Sequence, residues 1–135
     1  MTALSETELI ALGRRLGSSL RTGAVVWLEG PLGAGKTTLV QSIVAARGAE
    51  RGATSPTFNL VHRHEGPGGP VFHVDCYRLR DPSEASELDW REMLEADLLL
   101  VEWPDRGGEW VPDPDLRVRL DYAADPDRRA VVVEP

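Results

Sequence analysis

The chain begins with a helical stripe. Leu9, Leu12, Leu16 and Leu20 recur at spacings of three, four and four residues, which places them on one helix face. Ser5 and Glu8 stand in front of them as a capping-box pair, so the pattern predicts a helix over 5–20. Residues 24–29, AVVWLE, form an apolar run of strand length. A glycine-rich loop covers 30–35, and 36–47 predicts a second helix stopped at Gly48. Residues 57–64 and 71–76 read as strands on either side of a turn at 65–70, EGPGGP. Residues 82–95 are helical in character, with Pro82 and acidic residues at the start. Another buried strand is expected at 97–103, then a proline-rich loop over 104–115. Residues 116–122 alternate as a half-exposed strand, and 129–134 predicts a last, edge strand. Strands and helices interleaved in this way predict a small three-layer α/β domain.

Composition narrows the function classes. The chain has 135 residues, 41% hydrophobic and 27% charged, as expected of one globular domain. No apolar run approaches the length of a membrane span, and the acidic N-terminus has no basic region leading into an apolar one. The expectation is a cytoplasmic protein without a membrane partner. One cysteine, Cys76, excludes an internal disulfide. The net charge of −7 argues against autonomous binding to a phosphate backbone and leaves room for a protein partner with a basic face. Lys36 is the only lysine among 15 basic residues. A chain that uses arginine elsewhere keeps a lysine where a compact ammonium on a flexible stem is needed.

Lys36 lies in Gly30-Pro31-Leu32-Gly33-Ala34-Gly35-Lys36-Thr37, a match to G-x-x-x-x-G-K-[ST]. Glycines let successive backbone N–H groups turn inward, and the helix that follows adds the positive end of its dipole. An apolar strand before the motif and an amphipathic helix after it supply the context the pattern requires. Gly33, Ala34, Gly35, Lys36, Thr37 and Thr38 are thus the expected phosphate cradle. Lys36 reaches the terminal phosphates as a catalytic cation, and the Thr37 hydroxyl suits Mg²⁺. The fold expectation becomes a single P-loop NTPase-like three-layer domain over 1–135 with a mixed central sheet. Guanine-specific relatives of this class carry Asn-Lys-x-Asp. The only asparagine here, Asn59, is not followed by lysine, so ATP is expected.

Ligands of open α/β sheets bind beyond the carboxyl ends of the strands. Glu29, Asp75 and Glu102 stand at such ends. Glu29 has a loop-stabilising hydrogen bond as an equal alternative. Asp75 closes V-F-H-V-D and Glu102 closes L-L-L-V-E, each an apolar strand ending in an acid that suits a metal or an attacking water. Spacing does not divide those roles between them. His73 shares a strand face with Asp75 and suits a structural hydrogen bond. Arg78 suits either a phosphate or an acid in 81–87. Thr54 to Phe58 occupies the position of a segment that reaches the γ-phosphate in such proteins, with a turn that starts a strand as the alternative.

Together GPLGAGKTT (30–38), TSPTFNLVH (54–62), HVDCYRL (73–79), DPSEASELD (81–89), VEWPDRG (101–107) and PDPDLRVRLDY (112–122) resemble one family. This is TsaE, also called YjeE, the ATPase family of bacterial tRNA threonylcarbamoyladenosine synthesis. The family's usual motifs have Asp where Pro31 stands and Leu where Cys76 stands. The resemblance implies ATP and Mg²⁺ as cofactors and slow hydrolysis by the protein alone. It implies work with TsaB and TsaD, which complete transfer of the threonylcarbamoyl group to adenosine 37, so that tRNA is met only indirectly. It further implies Thr37 and Glu102 on Mg²⁺, Asp75 near the γ-phosphate or metal, and Ser5-Glu6 near the adenine, with Glu6 a nucleotide contact. Trp103 would lie near the site or its partner surface. Two other readings are a stand-alone small-molecule kinase, for which no lid is evident, and a nucleotide-gated interaction module.

Overall fold

In a computed structural model, which describes residues 1–49, 51–54 (backbone) and 60–135, eight strands form one mixed sheet. The strands are β1 (Thr2–Ser5), β2 (Ala24–Glu29), β3 (Arg51–Thr54), β4 (Val61–Gly66), β5 (Gly69–Asp75), β6 (Leu98–Glu102), β7 (Leu116–Tyr122) and β8 (Arg128–Glu134). Their spatial order is β1-β8-β7-β2-β6-β5-β4-β3. The central four, β7-β2-β6-β5, run parallel. Antiparallel pairs extend the sheet on both sides. β6 is buried along its whole length, as a parallel strand covered on both faces must be.

Alternation along the strands sorts side chains into two cores. Ala24, Val26, Leu28, Val71, Leu98 and Leu100 face α1 (Glu6–Ser19) and α2 (Lys36–Ala46). Val25, Phe72, Val74, Leu99 and Val101 face a second layer of short helical turns. The result is the expected three-layer α/β arrangement. No helix among the described residues is long and apolar enough to cross a membrane.

The first helix starts where its cap predicts. Ser5 Oγ accepts from the Glu8 amide at 3.2 Å, and Glu8 Oε1 accepts from the Ser5 amide at 2.9 Å. Its closest packing, however, is made by glycines. Leu9, Gly13 and Gly17 are its buried positions, while Leu12, Leu16 and Leu20 are half-buried. A Cβ on Gly17 would stand 2.7 Å from the Ala46 Cβ and from the Ile43 carbonyl oxygen, and one on Gly13 would stand 2.5 Å from the Ser42 Cβ. The two helices therefore meet backbone to backbone. This holds the N-terminus of α1 over the start of α2.

Several boundaries differ from the sequence expectation. Residues 2–5 add a strand ahead of α1, so β8 is flanked by β1 and is not the edge. The expected strand over 57–64 is β4, beginning at Val61; residues 55–59, with most of the proposed phosphate-sensing segment, lie outside the described residues. The 65–70 turn is shorter than expected, because Gly66 and Gly69 already pair across a two-residue connection. The helix expected over 82–95 is two pieces. A 3₁₀ turn at Pro82–Glu87 is capped by Asp81, and α3 (Trp90–Leu94) is capped anew by Asp89. The loop over 104–115 contains 3₁₀ turns at Pro104–Trp110. Cys76 is fully buried in the second core. Burial first, then the charges of Asp75 and Asp105, pushes its thiol up to about 12; it is a packing residue.

The helix contact yields a first prediction. Gly17→Leu forces α1 away from α2 and costs about 1–3 kcal/mol, the usual penalty of overpacking. Chemical denaturation measures it; unchanged stability would show that the glycine contact does not determine the packing.

Candidate functional site

The loop after β2 turns under its own strand. Gly30 has φ +151°, and a Cβ there would stand 2.3 Å from the Leu120 carbonyl oxygen. Gly33 and Gly35 have φ of +77° and +104°, in the left-handed region that side chains resist. Gly35 is the N-cap of α2 and offers no side-chain acceptor. The first amides of α2 therefore face the loop without an intrahelical partner. Ala34 turns away: its amide donates to the Pro31 carbonyl at 3.2 Å, and its side chain is buried in the core below.

Lys36 opens α2 and is only 5% exposed. Its Nζ donates to the Gly30 and Pro31 carbonyls, at 2.9 Å to the latter. It also lies 4.7 Å from the centre of the Trp103 ring. Burial lowers its pKa, and the carboxylates of Glu102 and Asp75 oppose that fall. The two acids help to keep the buried ammonium charged.

The two acids arrive by strand pairing. β5 and β6 are parallel, with Asp75 opposite Glu102. Both alternate onto the face of Val71 and Leu100, the face covered by α2. Asp75 accepts from the Tyr77 amide at 3.0 Å. Glu102 is 7% exposed, and its Oε2 lies 2.5 Å from His73 Nε2. Glu29 is different. It alternates with Val25 and Trp27 onto the opposite face and forms a two-pronged bond to Arg117, at 2.9 and 3.2 Å.

An open cavity of about 740 Å³ lies over this ground. Glu6, Gly33, Gly35, Lys36, Thr37, Thr38, Asp75 and Glu102 line it. These expected residues are thus brought to one cavity, while Ser5, Glu29 and Ala34 do not line it. Arg78 is exposed and lies outside the lining.

The remaining wall was not expected. Pro126, Asp127 and Arg129 enter from the β7–β8 connection and the start of β8, and Leu9 and Leu32 supply apolar surface. Arg129 Nε donates to the Gly33 carbonyl at 3.3 Å, so a cation lies across the loop. Some 95 residues separate the two in sequence, and only the sheet order brings them together. Trp103, which the family resemblance had implied near the site, completes the wall. Among the described residues it is the only non-glycine with positive φ, at 53°, a conformation that costs about 1–2 kcal/mol in an L-residue. The turn it makes sets its ring between Lys36 and Tyr77, whose ring centre is 5.0 Å away. The Arg106 guanidinium lies 4.4 Å from the Tyr77 ring centre and 5.6 Å from that of Trp103. Strain of this kind is concentrated at functional sites.

The chain is similar to known proteins over most of its length. The family model described as "Threonylcarbamoyl adenosine biosynthesis protein TsaE" matches residues 3–131. A tRNA threonylcarbamoyladenosine biosynthesis protein TsaE of Mycobacterium tuberculosis is 44% identical over 131 residues, covering 90% of this chain and 78% of the relative. Its counterpart from Streptomyces coelicolor is 43% identical, covering 83% and 78%. The crystal structure of Bacillus subtilis YdiB superposes with a TM-score of 0.73 at 26% identity, covering 98% of this chain and 85% of that one. With the model spanning nearly the whole chain and relatives above 40% identity, the chain belongs to the TsaE family of tRNA threonylcarbamoyladenosine biosynthesis proteins.

Proposed function

We propose that this protein is a Mg²⁺-dependent ATPase that acts with TsaB and TsaD in the threonylcarbamoylation of adenosine 37 of tRNA. The observation that carries this reading is the placement of Lys36. It is a buried ammonium at the N-terminus of a helix, beneath a glycine loop and beside two strand-end carboxylates.

The cavity suits a nucleoside triphosphate. Gly33 and Gly35 keep the loop backbone bare, and inward-turned amides with Lys36 are matched to phosphate oxygens. The donor set fits Mg²⁺. The Thr37 hydroxyl and the Glu102 carboxylate are hard oxygen ligands lining one cavity. Among the described residues no group of three or more His, Cys, Asp or Glu could hold a metal by itself. That suits an ion which takes one or two protein ligands and completes its shell with phosphate and water. Mg²⁺ held by Thr37 and Glu102 would supply charge neutralisation for phosphoryl transfer.

The chain's own residues divide the remaining work. Lys36 holds the terminal phosphates. Thr37 and Glu102 hold the cation. Asp75, anchored by one oxygen on the Tyr77 amide, orients the attacking water. Glu6, Leu9 and Arg129 form the wall available to the nucleoside. Among the described residues the arginine that lines the cavity, Arg129, is bonded to the Gly33, Pro126 and Arg128 carbonyls, so turnover alone is slow and rises when the partner proteins are present. A turnover assay with and without TsaB and TsaD separates this reading from a stand-alone kinase.

Two predictions follow from the division of labour. Lys36→Ala retains the fold and loses ATP turnover by at least about 10²-fold, as expected for a preorganised charge at the transferring group; ATP also outcompetes GTP for wild-type protein. Steady-state hydrolysis and a competition assay decide both points, and undiminished turnover in folded Lys36→Ala contradicts the reading. Glu102→Ala weakens nucleotide binding only when Mg²⁺ is present, whereas Asp75→Ala slows single-turnover hydrolysis with little effect on affinity. Nucleotide titrations with and without Mg²⁺, paired with single-turnover rates, test this. Wild-type behaviour of both variants would make the acids ordinary strand-end carboxylates.

A further inference from the structure

Glu102 presents a physical problem that the strand alone does not solve. A carboxylate on a residue only 7% exposed needs a hydrogen-bond partner. Lys36, itself buried, is a cation within electrostatic reach of Glu102. If the carboxylate closed onto that ammonium, each would neutralise the other. The acid would be withdrawn from a divalent cation and the lysine from phosphate.

A different side chain meets Glu102. His73, two residues before Asp75 on β5, directs Nε2 at Glu102 Oε2 at 2.5 Å. A carboxylate only accepts, so Nε2 carries the hydrogen. The imidazole is itself constrained. His62 is its directly opposite partner across the β4–β5 pair, and the two rings stack with centres 5.6 Å apart and planes 24° from parallel. The histidine is half-buried beside the cavity and does not line it.

We propose that His73, braced by the His62 ring, is a positioning residue that commits one oxygen of Glu102 and leaves the other aimed into the cavity for a divalent cation. This rests on the Mg²⁺-dependent nucleotide binding proposed above. Histidine serves by its reach and its single directed N–H. An apolar residue in its place would release the carboxylate toward Lys36. Such supporting partners of a metal ligand are worth about 10–100-fold in metal affinity.

The test compares wild type, His73→Leu, which removes the donor, and His73→Gln, which restores an amide N–H at similar reach. Each is titrated with MgCl₂ at fixed AMP-PNP, a non-hydrolysable ATP analogue, with binding measured by calorimetry. Affinity in EDTA is measured beside it. The expected result is equal affinity in EDTA for all three proteins. His73→Leu then needs about tenfold more Mg²⁺ than wild type to reach half of the metal's effect, and His73→Gln recovers most of the loss. Should His73→Leu fail to fold, His73→Asn, whose amide falls short of Glu102, takes its place with the same expectation. An unchanged Mg²⁺ requirement in the donor-less variant, or an equal loss with and without Mg²⁺, overturns the proposal. Wild-type binding indifferent to Mg²⁺ would instead overturn the Mg²⁺ reading on which it rests.

Discussion

The site depends on keeping one charged amine dry. Lys36 is almost wholly buried, and burial alone favours its neutral form. Its charge is maintained by what surrounds it: two loop carbonyls, the face of an indole, and two carboxylates within electrostatic reach. Each of these has a structural cost elsewhere. The carbonyls are presented by a loop that needs positive φ at Gly30, Gly33 and Gly35. The indole is presented by Trp103 in a left-handed conformation. The acids must be held close without collapsing onto the amine.

Parallel strands supply that last condition. β2, β6 and β5 end side by side, so the loop after β2 and the acids that close β5 and β6 share one edge of the sheet. In-register pairing puts Asp75 opposite Glu102 with no freedom to slip, because slipping by one residue would turn Leu100 and Val101 to the wrong faces. The antiparallel flanks complete the site. β8 contributes Arg129 to the cavity wall, and β4 contributes the His62 ring behind His73. The close glycine contact of α1 with α2 brings Glu6 and Leu9 over the cavity.

What could be read from the sequence was whatever is local. The strand, loop and helix that make the phosphate cradle are contiguous from Ala24 to Ala46, so pattern and chemistry could be read together. Asp75 and Glu102 were visible because each ends an apolar run. The alternation that separates Glu29 from them was also present, since Val25, Trp27 and Glu29 share a face. Arg129 and Asp127 carried no signal, because their place follows from strand order alone. β1 is four residues long and exists as a strand only through its pairing with β8. One helical pattern over 82–95 concealed a second cap at Asp89, which restarts the chain in a new direction. The left-handed turn at Trp103 lies between a buried acid and Pro104, against the extended backbone that a following proline favours, so no local signal announced it.

The central claim is that a buried lysine, a helix N-terminus and a strand-end acid converge on one Mg²⁺-nucleotide. A crystal structure with Mg²⁺ and a γ-phosphate analogue of ATP tests it most directly. The account predicts Lys36 Nζ on the terminal phosphates, the α2 amides on the phosphate chain, and Mg²⁺ bound by the Thr37 hydroxyl and one Glu102 oxygen while the other stays on His73. A nucleotide seated away from the 30–37 loop, or a cation bound without Thr37 and Glu102, would contradict it.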